Sequence, residues 1–172
     1  LEDIGNKKTE FLSNIQGRFS HIDILINNAG HLSNTAFESI QPEDIKQTLE
    51  VNYLAPMLSI QVLLPLLMKS EHAHVVNIGT MGGIQGSSKF PGLSIYSSSK
   101  AALATLTECL AEEYREANIS FNYLALGAVQ TEMLEEAFPG YKAPLSALEM
   151  AEFISKFAVD GYKYFNGKIL PV

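Results

Sequence analysis

Three apolar, largely β-branched runs, each ending abruptly in amides, hydroxyls or glycines, restrict the folds open to this 172-residue chain more than any other feature. The first, Ile22 to Ile26, leads into Asn27-Asn28-Ala29-Gly30; the second, Val75 to Ile78, into Gly79-Thr80-Met81-Gly82-Gly83. The third, Ile119 to Leu126, leads into Gly127-Ala128-Val129-Gln130-Thr131. A run apolar at successive positions suits a strand covered on both faces, as in parallel sheets. Between the runs lie helical patterns: one through about Phe19, one from Glu43 to Lys69 after Gln41-Pro42, and one from Ser94 to Ala117. A further helix is expected from Ser146 to Val159, and Lys168 to Val172 reads as an edge strand. Helices between strands imply right-handed crossovers and a parallel α/β sheet. Ligands of such sheets sit outside the carboxyl ends of the strands, the edge to which these runs deliver their polar groups.

Residues 1–172 therefore read as a single α/β domain, long enough to bury a sizeable core. Hydrophobic residues make up 47% and charged residues 18%, ordinary for a globular chain. A net charge of −7 argues against nucleic-acid or anionic-membrane partners, which would repel it. The lone Cys109 cannot form an internal disulfide; inside a helical pattern it reads as packing material in a reducing cytoplasm. The apolar stretch Leu54 to Met68 is interrupted by Pro56, Ser59, Gln61 and Pro65 and does not read as a membrane span. His72 and His74 flank a strand start without acidic or cysteine partners at ligand spacing, so no metal site is expected. Glu108, Glu112, Glu113 and Glu116 read as a solvated face.

The residues with the most chemistry are Tyr96 and Lys100, a phenol and an ammonium four positions apart at the start of an Ala-rich helix. One helical turn puts them on one face. A neighbouring cation and a positive helix N-terminus both favour the phenolate, which predicts a proton donor and acceptor at Tyr96. In the preceding long helix Pro56 has no amide hydrogen, so the carbonyl of Asn52 loses its normal donor.

Together these residues resemble the short-chain dehydrogenase/reductase family across nearly the whole chain. Asn27-Asn28-Ala29-Gly30 matches the family's Asn-Asn-Ala-Gly signature, Tyr96 and Lys100 its catalytic pair, and Asn52 its catalytic asparagine. Gly127 and Thr131 fit the segment that usually reads Pro-Gly-x-x-x-Thr. The resemblance implies a Rossmann-like doubly wound parallel sheet, NAD or NADP as cofactor, and hydride transfer between the nicotinamide and a carbonyl or alcohol substrate. It assigns catalysis to Asn52, Thr80, Tyr96 and Lys100, with the Asn52 carbonyl anchoring a proton-relay water. It places Asn27, Ala29 and Gly30 near the adenosine side, Lys100 at the ribose, and Val129 and Thr131 near the carboxamide, and counts Tyr96 and Gly127 among the cofactor-binding residues. It further implies a homodimer or homotetramer formed through helices 43–69 and 94–117.

Two positions depart from that pattern. Thr80 stands where a serine is usual, with Ser87, Ser88 and Ser94 as weaker candidates for the hydroxyl, and Ala125-Leu126-Gly127 lacks the usual proline. Threonine keeps the hydroxyl but constrains its rotamer. His31 reads as a surface imidazole rather than a pocket residue, and Phe90, Tyr53, Phe138 and Tyr141 lie in or near loops expected around a substrate. The chain opens at Leu1 and shows no Gly-x-x-x-Gly-x-Gly loop before Asn27. Roughly the first third of the implied fold is therefore expected to lie outside it, leaving four parallel strands, equivalent to strands 4-5-6-7, and an open cofactor cleft that binds NAD(H) weakly. A catalytically inactive binding or assembly module is the alternative.

Overall fold

In the computed structural model, which describes residues 8–172, four parallel strands form one sheet in the order β1-β2-β3-β6. Residues 1–7, including the opening at Leu1, lie outside the described residues. Strand β1 is Ile24–Asn27, β2 Ala73–Thr80, β3 Ile119–Leu126 and β6 Lys168–Pro171. The register sets Asn27 beside Asn77, and Asn77 beside Tyr123, so the polar strand ends lie along one edge. β6 is the edge strand expected from the sequence, and β1 is the other edge, with Ile24 and Ile26 partly exposed. A small parallel pair, β4 (Val129–Gln130) and β5 (Leu145–Ser146), lies outside the main sheet.

Alternation along β2 and β3 sorts their side chains to two faces. Val75, Phe121 and Tyr123 face helices α3 (Ala55–Leu67) and α4 (Ser94–Glu113), where Phe121 packs with Ile60, Leu63, Leu66 and Leu67, and Tyr123 with Leu103 and Ala104. Val76, Ile78 and Leu124 face α6 (Ala147–Asp160) through Ala158. Burial of each such large aliphatic or aromatic side chain contributes about 1.5–3 kcal/mol. Helix α1 (Lys8–Gln16) packs on the α3 side through Phe11, Leu12 and Ile15. A short helix α5 (Glu132–Ala137) follows β4.

The long helix expected from Glu43 to Lys69 is continuous but not regular. Helix α2 (Pro42–Leu49) passes into α3 through one π-helical turn, Glu50–Leu54, in which the Ala55 N–H donates to the Glu50 carbonyl. Pro56, which has no donor for the Asn52 carbonyl, lies just past that turn, and local π-turns are frequent at functional sites. The stretch Pro42–Leu67 is long and apolar enough to cross a membrane by length and composition, yet eight α3 side chains, Leu66 and Leu67 among them, are buried within this fold.

On the other face of the sheet, His74 is fully buried. Its Nε2 accepts from Asn122 Nδ2 at 3.0 Å, which leaves the proton on Nδ1 to donate to the Ala158 carbonyl at 2.9 Å. Both ring nitrogens thus serve the packing of β2, β3 and α6. Burial pushes the His74 pKa down from 6.5, only partly opposed by the Ala158 carbonyl. The folded state therefore keeps His74 neutral, whereas the unfolded chain takes up a proton near pH 6.5. Stability from this group is complete above that pH and is lost progressively as pH falls toward the lowered folded value. The urea midpoint should decline between pH 7.5 and 5, with a shallower decline in His74→Gln; equal slopes in the two proteins would refute this linkage.

Candidate active site

The edge at the carboxyl ends of the strands holds the expected polar residues, but their side chains divide between packing and reach. Asn27 donates through Nδ2 to Asn77 Oδ1 at 2.7 Å, and Asn77 donates in turn to Thr107 Oγ1 on α4 at 2.9 Å. This amide chain ties β1 and β2 to α4, so the Asn27 side chain is committed to the scaffold. Ala29 is exposed and Gly30 half-buried. A cavity of about 80 Å³, lined by Ile26, Asn27, Asn28, Ala29, Pro56 and Ser59, opens beside them.

Asn52 is fully buried, and its side chain grips the backbone just after Gly30. Its Oδ1 accepts from the His31 N–H at 2.7 Å, and its Nδ2 donates to the His31 carbonyl at 2.8 Å and to Ser99 Oγ at 3.0 Å. Ser99 itself donates to the Tyr96 carbonyl at 2.7 Å. The amide of Asn52 thus couples the Gly30 turn to the first turn of α4, a role for Asn52 and Ser99 that only the folded chain reveals. His31 is half-buried rather than a surface imidazole, because its Nδ1 lies 3.2 Å from the buried Thr48 hydroxyl.

Lys100 is buried, and its Nζ donates to the Ile78 carbonyl at 3.0 Å. A Cβ placed on Gly30 would lie 3.7 Å from both Lys100 Nζ and Asn52 Oδ1, and 3.6 Å from Met133 Cε. Gly30, Asn52, Lys100 and Met133 therefore meet at one point, and Met133 reaches it from α5. Thr131 followed by acidic Glu132 and Glu135 is an N-cap signal that could have revealed this helix. Desolvation pushes the Lys100 ammonium down to about 8. It still carries its charge at pH 7, with donors beyond the one given to Ile78.

Tyr96 departs from expectation in its electrostatics. Burial raises its pKa, because desolvation penalises the charged phenolate, and Lys100 is turned toward the Ile78 carbonyl. The phenolic oxygen has no hydrogen-bond partner among the described residues, which leaves it available to a ligand.

Thr80 ends β2 in extended conformation and caps the following 3-10 turn, its Oγ1 accepting from the Gly82 N–H at 3.3 Å. Ser87 is spent on the loop, donating to the Met81 and Ile84 carbonyls, while Ser88 is exposed and Ser94 lines a separate groove. That groove, of about 900 Å³, runs between the 34–38 segment, the 82–93 loop and the outer face of α4. Phe37 and Phe90 line it, whereas Thr80 and Tyr96 do not. Tyr53 packs against the core cluster of Leu103 and Tyr123.

Without the usual proline, the turn after β3 is held from another direction. The Gly127 N–H donates to the Val172 carbonyl at 2.8 Å, and the Val172 N–H to the Ala125 carbonyl at 3.1 Å. Val129 pairs with Leu145, and Thr131 caps α5 by accepting from the Leu134 N–H at 3.2 Å. Cys109 is exposed on α4 rather than packed, since it falls on the same outward side as Thr105, Glu108, Glu112 and Glu113. No group of three or more His, Cys, Asp or Glu side chains among the described residues is placed to hold a metal ion.

A family model described as short chain dehydrogenase matches residues 4–142. The chain is 27% identical over 175 aligned positions to the 3-oxoacyl-[acyl-carrier-protein] reductase FabG of Thermotoga maritima, covering 95% of this chain and 69% of that protein. It is 32% identical to a fatty acyl-CoA reductase of Mycobacterium tuberculosis, covering 83% of this chain and 49% of the relative. Against the bovine dehydrogenase/reductase SDR family member 7B it is 33% identical, covering 67% and 34% respectively. The chain thus spans only a third to about two thirds of the length of these relatives. Among solved structures, acetoin dehydrogenase YohF from Salmonella typhimurium superposes with a TM-score of 0.79 at 25% identity, covering 95% of this chain and 68% of that one. A candidate short chain dehydrogenase from Escherichia coli CFT073, complexed with NADPH, gives 0.86 at 24% identity, covering 96% and 69%.

Proposed function

Because the chain belongs to the short-chain dehydrogenase family, we propose that it forms the catalytic part of an NAD(P)-dependent oxidoreductase acting on a carbonyl or alcohol substrate. The observation that supports this most is the meeting of Gly30, Asn52 and Lys100 at the carboxyl edge of the sheet, with the free phenol of Tyr96 one helical turn from Lys100. Such an edge is where open α/β sheets take their ligands. The exposed Ala29, the half-buried Gly30 and the spare Lys100 donors suit a dinucleotide lying along it.

When bound, the nicotinamide supplies the hydride chemistry. In this reading Lys100 and Tyr96 hold the ribose, Asn27, Ala29 and Gly30 flank the adenosine side, and Gly127, Val129 and Thr131 meet the carboxamide. Tyr96 gives its phenolic proton to the developing alkoxide, and the Lys100 ammonium stabilises the resulting phenolate. Thr80 donates its hydroxyl proton to the substrate oxygen. The buried amide of Asn52 fixes the turn after Gly30, and its carbonyl, deprived of a donor by Pro56, holds a water that returns protons toward Lys100. A second copy of the chain against helices 43–69 and 94–117, and a cytoplasmic setting, belong to the same proposal.

Assay of the whole protein with NADH and NADPH over a panel of aldehydes and ketones tests this. Thr80→Val, which keeps shape and removes the hydroxyl, should lower kcat by about 10-fold or more, and Thr80→Ser should preserve it. A silent Thr80→Val beside an impaired Ser94→Ala would assign the hydroxyl elsewhere. Absence of turnover with either cofactor on every substrate would favour a non-catalytic binding or assembly module.

A further inference from the structure

The largest fully buried side chain among the described residues is a tyrosine set beside the Thr80 backbone. Tyr123 stands opposite Asn77 in the β2–β3 register, and its ring extends along the sheet into the space over Gly79. A Cβ on Gly79 would lie 1.7 Å from both Cζ and the phenolic oxygen of Tyr123, so glycine there is what admits the ring. At the end of that path the Tyr123 hydroxyl accepts from the Thr80 N–H at 3.1 Å. Thr80 is the last residue of β2, where the ladder gives way to a 3-10 turn. A half-buried amide at the end of the ladder needs an acceptor, and a rigid phenol anchored in the core supplies one.

We propose that Tyr123 is a positioning residue for the Thr80–Tyr96 pair: its phenol, admitted by Gly79, pins the Thr80 backbone and so sets where the Thr80 hydroxyl stands relative to Tyr96. The Tyr123 pKa is raised well above the usual phenol range, chiefly by burial. It therefore stays a neutral dipole at any working pH. The inference rests on the oxidoreductase reading only for its kinetic consequence; the bond to Thr80 is independent of activity.

Tyr123→Phe keeps the ring and deletes the oxygen. Hydrogen exchange followed by NMR should show the Thr80 amide losing protection by about 10-fold or more while its neighbours in β2 keep theirs. In the whole enzyme kcat should fall about 3- to 10-fold with KM for the cofactor unchanged. In a Thr80→Val background the same change should have little further effect on kcat, because both act through one hydroxyl. Unchanged protection at Thr80 overturns the proposal whether or not the protein turns over a substrate. Altered protection with full kcat, or additive kinetic losses in the double variant, overturns it as well. If wild-type protein has no dehydrogenase activity, the exchange result alone decides the Thr80–Tyr123 contact, and the positioning role falls with the reaction it serves.

Discussion

Tyr96→Phe should reduce turnover in the whole enzyme by about 10²- to 10⁴-fold, the usual contribution of a general acid-base group. Dinucleotide affinity, read by calorimetry, should change little, because the ring remains and only the transferable proton is lost. The free phenol motivates this expectation: no described residue engages its oxygen, whereas the hydroxyls of Ser87 and Ser99 are donated to carbonyls. A variant keeping more than half of wild-type kcat would remove Tyr96 from the mechanism. Lys100, with its ammonium pushed down to about 8, is charged below that pH and neutral above it. Carbonyl reduction that depends on a cation beside Tyr96 should therefore weaken as pH rises through that region.

The largest expected loss of stability comes from a single methyl group. Gly79→Ala would place a Cβ 1.7 Å from atoms of the buried Tyr123 ring, far inside contact distance. The ring cannot give way, because it is fully buried among Leu103, Ala104 and Ala125. Overpacking of this kind costs about 1–3 kcal/mol and occasionally more. For a chain of this size each kcal/mol lowers Tm by about 2–4 °C. Gly79→Ala combined with Tyr123→Val should lose less than the sum of the two single changes, since removing the ring frees the site. Strictly additive losses in thermal or urea unfolding would show that the two residues do not share that space.

The sheet was legible because its signal is local and repeated. Ile119 to Leu126 is a strand with the boundaries read from sequence, and the acidic run Glu108 to Glu116 faces solvent as expected. Helix α5 was missed because six residues carry too little periodicity, although Thr131 and the acids behind it mark its start. Cys109 was misplaced because a residue inside a helical pattern can point either way, and only packing against β3 decides which face is inward.

By itself the sequence determined the parallel α/β order and the edge at which polar groups gather. These follow from residue type and spacing, which act over one turn or one strand. Tertiary structure alone decided what each polar group does. The resemblance sets Asn27 beside a cofactor, and the fold decides that its side-chain amide is held by Asn77, fifty residues away. Asn52 was valued for its backbone carbonyl, yet its side chain clamps His31 and Ser99. The Tyr96 pKa was expected to fall beside a cation, yet burial raises it. Hydrogen-bond partners and desolvation depend on atoms brought together from distant segments, and no window along the chain contains them.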